Sequence, residues 1–209
     1  AQSSIGCAVA GMTSPRGRCF MFDDRADGYS RSEGVAAAAL EPPAVAARVR
    51  GPALISSSVG SDGRSASLTA PSGLAQQELM LAAHCSAGLS HRQDACAEAH
   101  GTGTALGDPI EAGSFAAVML AIGDPAASCT TPLGSIKANV GHSEPAAGGA
   151  GLLKLALQLG AARMGPNAQL RVANPRVKSA LRGVQAALHT GCAPTGAAGA
   201  MGAVGGVSS

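Results

Sequence analysis

Two stretches decide the fold: EAHGTGTALGDPIEAG (residues 98–113) and GSIKANVGHSEPAAGGAG (residues 134–151). Each runs from strand-like residues through a glycine-rich loop into a helix. In the first, residues 95–99 read as a strand and residues 100–107 as the loop. A helix is expected from about Asp108, with Pro109 in its first turn, where a missing amide hydrogen does little harm. In the second, residues 133–140 supply strand and turn, and Glu144-Pro145 opens an alanine-glycine helix that should run to about Leu159. Two successive strand–loop–helix units predict an α/β layered architecture.

The remainder is sorted outward from these units. Ile5, Val9 and Met12 recur at helical spacing before the turn Ser14-Pro15-Arg16-Gly17, so the chain begins in the tail of a helix. FDDRADGYSRSEG (22–34) is polar and glycine-punctuated, which is loop chemistry, with Asp27 and Arg31 expected to tie down their own loop. Residues 35–40 form an apolar run short enough for a buried strand. After Pro42-Pro43, residues 45–59 read as a second strand, and together they make a plausible hairpin-like pair. Residues 72–89 predict a helix with Ser72 as its N-cap, ending near Gly88. Two further short strands are expected at 184–189 and 201–207, and no solenoid-type repeat is present.

Composition narrows the functional classes. The 209 residues are 46% hydrophobic and only 13% charged, against about 25% charged in ordinary soluble domains, so charge-driven disorder is excluded. With one Tyr, three Phe and no Trp, the core is expected to pack from Ala, Val, Leu and Gly, and aromatic platforms for stacked bases are not available. A net charge of +2, spread along the chain, gives no footprint for nucleic acid or an anionic membrane. The six cysteines form no C-x-x-C pair and read as reduced thiols, mostly small core residues. No apolar run reaches the roughly 18 residues of a membrane span and no signal-peptide pattern is seen, which reads as a cytoplasmic setting with a plastid left open.

The chemistry is concentrated in the two opening stretches. In each, a histidine flanked by glycine stands near the end of a strand, where ligands meet α/β layers, so His100 and His142 can converge. Two imidazoles offering Nε2–H to one carbonyl oxygen make an oxyanion-type site for an enolate developing from a thioester. Lys137 can add positive charge there, and its charge state is adjustable by burial. The hydroxyls of Thr102 and Thr104 alternate with glycines and can point the same way toward a polar ligand arm. Asp108 and Glu111 begin a helix, where carboxylates complement the dipole; Glu111 reads either as a partner of Lys137 or as a solvated helix-start acid. Alone, His100 would be a loop histidine satisfied by backbone. His84, His91 and His189 lie outside any motif and read as surface or structural. A zinc site of His100, Asp108 and His142 is disfavoured, because no His-x-x-x-His pair is present, and no metal is expected. GTGTALGD matches neither common glycine-rich phosphate cradle.

Taken together, the two histidine motifs, SPRGRCFMFDDRADGYSRSEG (14–34) and RGPALISSSVGSDGRSASLTAPSG (50–73), resemble in order the β-ketoacyl synthase family, specifically ketosynthase domains of type I modular polyketide synthases. The resemblance is dense over about residues 12–159. It implies a thiolase-like fold, layered α-β-α-β-α and present here incompletely, mainly as its C-terminal half. Residues 1–40 would end the N-terminal half and residues 41–209 would form the C-terminal half, truncated before a final strand motif.

The resemblance also implies an acyltransferase that joins an acyl thioester to malonyl carrier protein by decarboxylative Claisen condensation. His100 and His142 would polarise the malonyl thioester, Lys137 would support them, and Thr102 and Thr104 would hold the phosphopantetheine arm of an acyl carrier protein. No cofactor would bind directly, and the intact domain would be a homodimer. The family's nucleophilic cysteine lies in a D-x-A-C-S-S-S motif that this sequence does not contain; it is expected upstream of Ala1. Neither Cys7 nor Cys19 has its context, so the fragment alone is expected to be inactive and not to fold stably. A related fatty acid synthase is a neighbouring possibility. The alternative is a non-elongating or inactive ketosynthase-like protein that serves as a dimerisation or carrier-docking scaffold.

Overall fold

The elements follow in chain order in a computed structural model that describes residues 2–42, 51–63, 70–89, 94–122, 130–195 and 204–208. They are α1 (Gln2–Val9), α2 (Gly73–Ser86), β1 (Asp94–Glu98), α3 (Gly107–Ile122), β2 (Thr131–Gly134), α4 (Lys137–Val140), a 3-10 turn (Glu144–Ala146), α5 (Ala147–Ala161), β3 (Arg163–Met164), α6 (Pro175–Ala180), β4 (Ala186–Ala187), β5 (Ala193–Pro194) and β6 (Val204–Val207). The sheet that positions the site is parallel throughout, in the order β4-β2-β1-β6. β3 and β5 form a separate antiparallel pair.

Alternation along β1 sorts its side chains onto two faces. Ala97 and the following Ala99 join Ala112, Phe115 and Met119 of α3, together with Met21, Phe22, Leu133 and, from α6, Val177, in the larger core cluster. Cys96 turns the other way and packs with Leu155 of α5 and Met164 of β3. The small side chains of β1 let helices approach both faces, so the central sheet is sandwiched between α3 with α6 and α5. The core is less aromatic-poor than composition predicts: Phe20, Phe22, Tyr29 and Phe115 are all buried, and Phe22 and Met21 are the bulkiest of the fully buried side chains.

Both strand–loop–helix units form, as does α2, whose N-terminus is capped by Ser72 Oγ accepting from the Ala75 amide at 3.3 Å. Residues 35–40 are not a strand: Val35 is 99% exposed and Leu40 72%, and the alanines between them offer too little apolar area to hold the run against a layer. No strand forms over residues 51–59 either, so the hairpin is absent there; residues 43–50 lie outside the described residues. The expected strand at 184–189 shortens to β4. That at 201–207 becomes β6 beside β1, with 201–203 outside the described residues. α6 has no counterpart among the expected elements, although Asn174-Pro175 carries its start signal: Asn174 Oδ1 accepts from the Arg176 amide at 2.9 Å. The described cysteines form no disulfide. Cys19 and Cys96 are buried but Cys85 and Cys192 are exposed, so thiols are not mainly core residues here; Cys129 lies outside the described residues.

Candidate active site

The first histidine segment leaves β1 and is bent into a loop by Gly101 (φ 43°) and Gly103 (φ 79°). Gly103 is needed twice over: its φ is left-handed, and a Cβ there would lie 2.7 Å from the Phe20 nitrogen. Asp108, in the first turn of α3, fastens this loop to residues 20–22. One carboxylate oxygen accepts from the Gly103 amide at 3.0 Å and the other from the Phe22 amide at 2.6 Å. Burial pushes Asp108 up to about 7, against the pull of these backbone donors.

One turn further along α3, the buried Glu111 receives the His100 amide at 2.6 Å and the Ser208 hydroxyl at 2.5 Å on one oxygen, and the Gly101 amide at 2.8 Å on the other. Ser208 directly follows β6, so a strand distant in sequence completes the support of His100. Ser135, after β2, donates to the carbonyls of His100 and Gly101, both at 3.3 Å.

The second histidine is held by the loop at 22–34. His142 donates its amide to the Ser30 carbonyl at 2.7 Å and its carbonyl accepts from the Ser32 amide at 3.0 Å, a single parallel bridge. Its Nδ1 accepts from the Glu144 amide at 3.2 Å, which leaves the ring proton on Nε2. The His142 ring stands edge-on to Tyr29 (centroids 5.0 Å apart, 79°) and to His100 (5.2 Å, 90°). Burial lowers His100 to about 4, with Lys137 adding to the effect. Burial likewise lowers His142 to about 4, helped by His100 and Lys137. Both imidazoles are therefore neutral at pH 7.

Lys137 opens α4 and is 3% exposed. Burial pushes it down, offset by the charges of Glu111, Glu98, Cys19 and Asp108. Glu111 acts on it as a nearby charge, since its oxygens are occupied by the His100 and Gly101 amides and Ser208; among the described residues the two form no ion pair, and Glu111 is not a solvated acid either. Thr102 and Thr104 lie half-buried with hydroxyls 3.5 Å apart, and Thr104 Oγ1 also accepts the Gly107 amide at 3.0 Å, capping α3. His100, His142, Thr102, Thr104 and Glu144 all border one open cavity of about 2070 Å³. Asp27 pairs with Arg16 at 2.8 Å within its own region, whereas Arg31 leaves its loop and grips Glu144.

Sequence reasoning gives no part in the site to Glu98, Ser208 or Ser135, and reads Glu144 only as the start of a helix. Glu98 has a signal, a carboxylate directly after the small apolar run Ala95-Cys96-Ala97, where a buried charge demands a partner. That partner is Lys154 of α5 at 2.5 Å, and the other Glu98 oxygen takes the Ile136 amide at 2.6 Å. Ser208 has no local signal. Among the described residues, no group of three His, Cys, Asp or Glu side chains is placed to hold a metal, and no helix is long and apolar enough to cross a membrane.

Known proteins match the chain in both sequence and fold. Residues 53–171 match the β-ketoacyl synthase C-terminal domain and residues 1–46 the β-ketoacyl synthase N-terminal domain. The chain belongs to the β-ketoacyl synthase family and is an incomplete thiolase-like fold. Within that family it is part of a ketosynthase domain of the polyketide synthase kind. It is 46% identical over 179 residues to a highly reducing polyketide synthase of Cordyceps militaris, covering 83% of this chain and 7% of that one. It is 46% identical over 162 residues to a phenolphthiocerol/phthiocerol polyketide synthase of Mycobacterium tuberculosis, covering 74% of this chain and 7% of the relative. Among solved structures it resembles an oxazolomycin ketosynthase domain from Streptomyces albus, with TM-score 0.85, 32% identity, and coverage of 93% of this chain and 33% of that chain. The ketosynthase from module 6 of the bacillaene synthase of Bacillus subtilis gives a TM-score of 0.81 at 28% identity, covering 92% of this chain and 35% of the other.

Proposed function

We propose that the intact domain containing this chain catalyses decarboxylative Claisen condensation between an acyl thioester and malonyl carrier protein. The observation that carries the reading is the perpendicular pair His100–His142, 5.2 Å between ring centroids, with the His142 proton directed to Nε2 by the Glu144 amide. In this reading the two neutral imidazoles donate to the malonyl thioester oxygen. Carbon dioxide leaves, and its bonding electrons pass into an enolate that these donors stabilise. The enolate carbon attacks the acyl group held on a cysteine, forming the carbon–carbon bond and releasing the thiolate.

That cysteine belongs to the D-x-A-C-S-S-S motif, which we place upstream of this sequence. Lys137 supplies nearby positive charge, and Glu111 holds the backbone that presents His100. Thr102 and Thr104 face the phosphopantetheine arm of the acyl carrier protein, the free hydroxyl capacity of Thr102 suiting it better than the capping hydroxyl of Thr104. We read residues 1–40 as the end of the N-terminal half and residues 41–209 as C-terminal half, and the working domain as a homodimer in which this fragment alone is inactive.

The test is malonyl decarboxylation by the intact domain carrying His142→Ala. Carbon dioxide release should drop by at least about 100-fold, the size expected when an oxyanion donor is lost. Unchanged release would leave the scaffold reading in its place.

A further inference from the structure

We propose that the Arg31–Glu144 ion pair is a positioning device that holds the Glu144 backbone where its N–H meets His142 Nδ1, and so fixes the ring proton on Nε2. The inference rests on the reading of His142 as a donor to the substrate oxygen, because only an Nε2-protonated neutral ring can donate from that atom while Nδ1 is engaged. Three observations converge on it. Glu144 has φ 47°, a left-handed conformation that a residue with a side chain adopts only when its surroundings enforce it. The guanidinium of Arg31 grips both oxygens of that same residue, at 2.5 and 2.7 Å, a two-point contact that fixes orientation as well as distance. And Arg31 is itself registered against His142 through the backbone bridge of residues 30–32. The fork, the strained backbone and the histidine therefore form one closed loop of contacts. The 3.2 Å bond from the Glu144 amide to Nδ1 is the member that reaches the imidazole.

Neither Arg31 nor Glu144 needs to touch substrate for this role. An ion pair that merely linked two loops would leave the tautomer of His142 untouched, and that difference decides the matter. In the intact ketosynthase domain with 15N-labelled histidine, the His142 ring shifts report which nitrogen carries the proton. Malonyl decarboxylation gives kcat and KM in the same samples. Glu144→Ala and Arg31→Ala should move His142 to a mixture of tautomers and lower kcat about tenfold, with KM within about twofold. Glu144→Gly, which reaches the left-handed backbone without strain but is no longer held there, should fall between these and the parent. A His142 that stays wholly Nε2-protonated in both alanine variants overturns the inference, and so does lost activity without a tautomer change. If His142→Ala leaves decarboxylation intact, the catalytic reading fails instead, and the ring shifts still answer whether the pair sets the tautomer.

Discussion

Desolvation acts with opposite sign on the pKa values of the half-buried His142 and the buried Asp108. His142 carries a value of about 4 in the fold against 6.5 in the free side chain. Above pH 6.5 it is neutral in both states and contributes nothing. Between 6.5 and 4 only the unfolded chain takes up the proton, so stability falls as pH falls, and the loss is complete below about 4. Asp108, raised from 3.8 to about 7, binds its proton in the fold first and therefore gains stability over much of the same window. The clean measurement is a difference: the melting temperature of the intact domain minus that of its His142→Gln variant, from pH 7 to pH 4. That gap should shift against the parent as pH drops below 6.5, because the variant lacks the acid penalty. A gap independent of pH would mean His142 is not desolvated as described. At this scale the sequence is informative about types and poor about partners. His100, His142 and Lys137 can be named from their motifs, but that Glu111 holds two successive amides, and that Arg31 crosses to Glu144 instead of staying in its loop, depends on distances between segments 10 and 113 residues apart.

Between elements, the principal polar weld is Glu98. It closes β1, accepts the amide of Ile136 just before α4, and pairs with Lys154 of α5, with 2% and 14% of the two side chains exposed. One carboxylate thus fixes the strand that launches His100, the turn that starts with Lys137 and the helix behind both. Glu98→Gln keeps an acceptor for Ile136 but strands a buried ammonium, which should cost about 3–5 kcal/mol in urea denaturation of the intact domain. Adding Lys154→Met should recover a substantial part, and a single variant as stable as the parent would show the pair to be dispensable. The strand–loop–helix units are legible because glycine, proline and apolar spacing are local signals: α3 and α5 begin within a few residues of where Pro109 and Pro145 place them. The run at 35–40 misleads because its apolar residues are mostly alanine, which satisfies a strand pattern without enough surface to secure burial. β3 and β5, two residues each, exist only through mutual pairing, which no local pattern announces.

For the molecule as a whole, the layering is sound at the sheet and open at its margins. Ile5 and Val9 of α1 are 63% and 83% exposed, and Val35, Leu40 and Val59 stand out in the same way. The chain spans 33% of the solved ketosynthase chain it resembles. Produced alone, the 209 residues should give a broad, weakly cooperative calorimetric transition; a sharp two-state melt would refute that expectation. The sheet order β4-β2-β1-β6 has a temporal side as well. Ser208 reaches back across 97 residues to Glu111, and β6 must lie beside β1 for it to do so. On a ribosome adding about 5–20 residues each second, both histidines are synthesised at least about 3 s before that serine. The nascent chain can assemble its layers early, but the final clasp on His100 is a late event, so a stall or premature release upstream of β6 would yield a protein that looks folded and holds its histidine loosely.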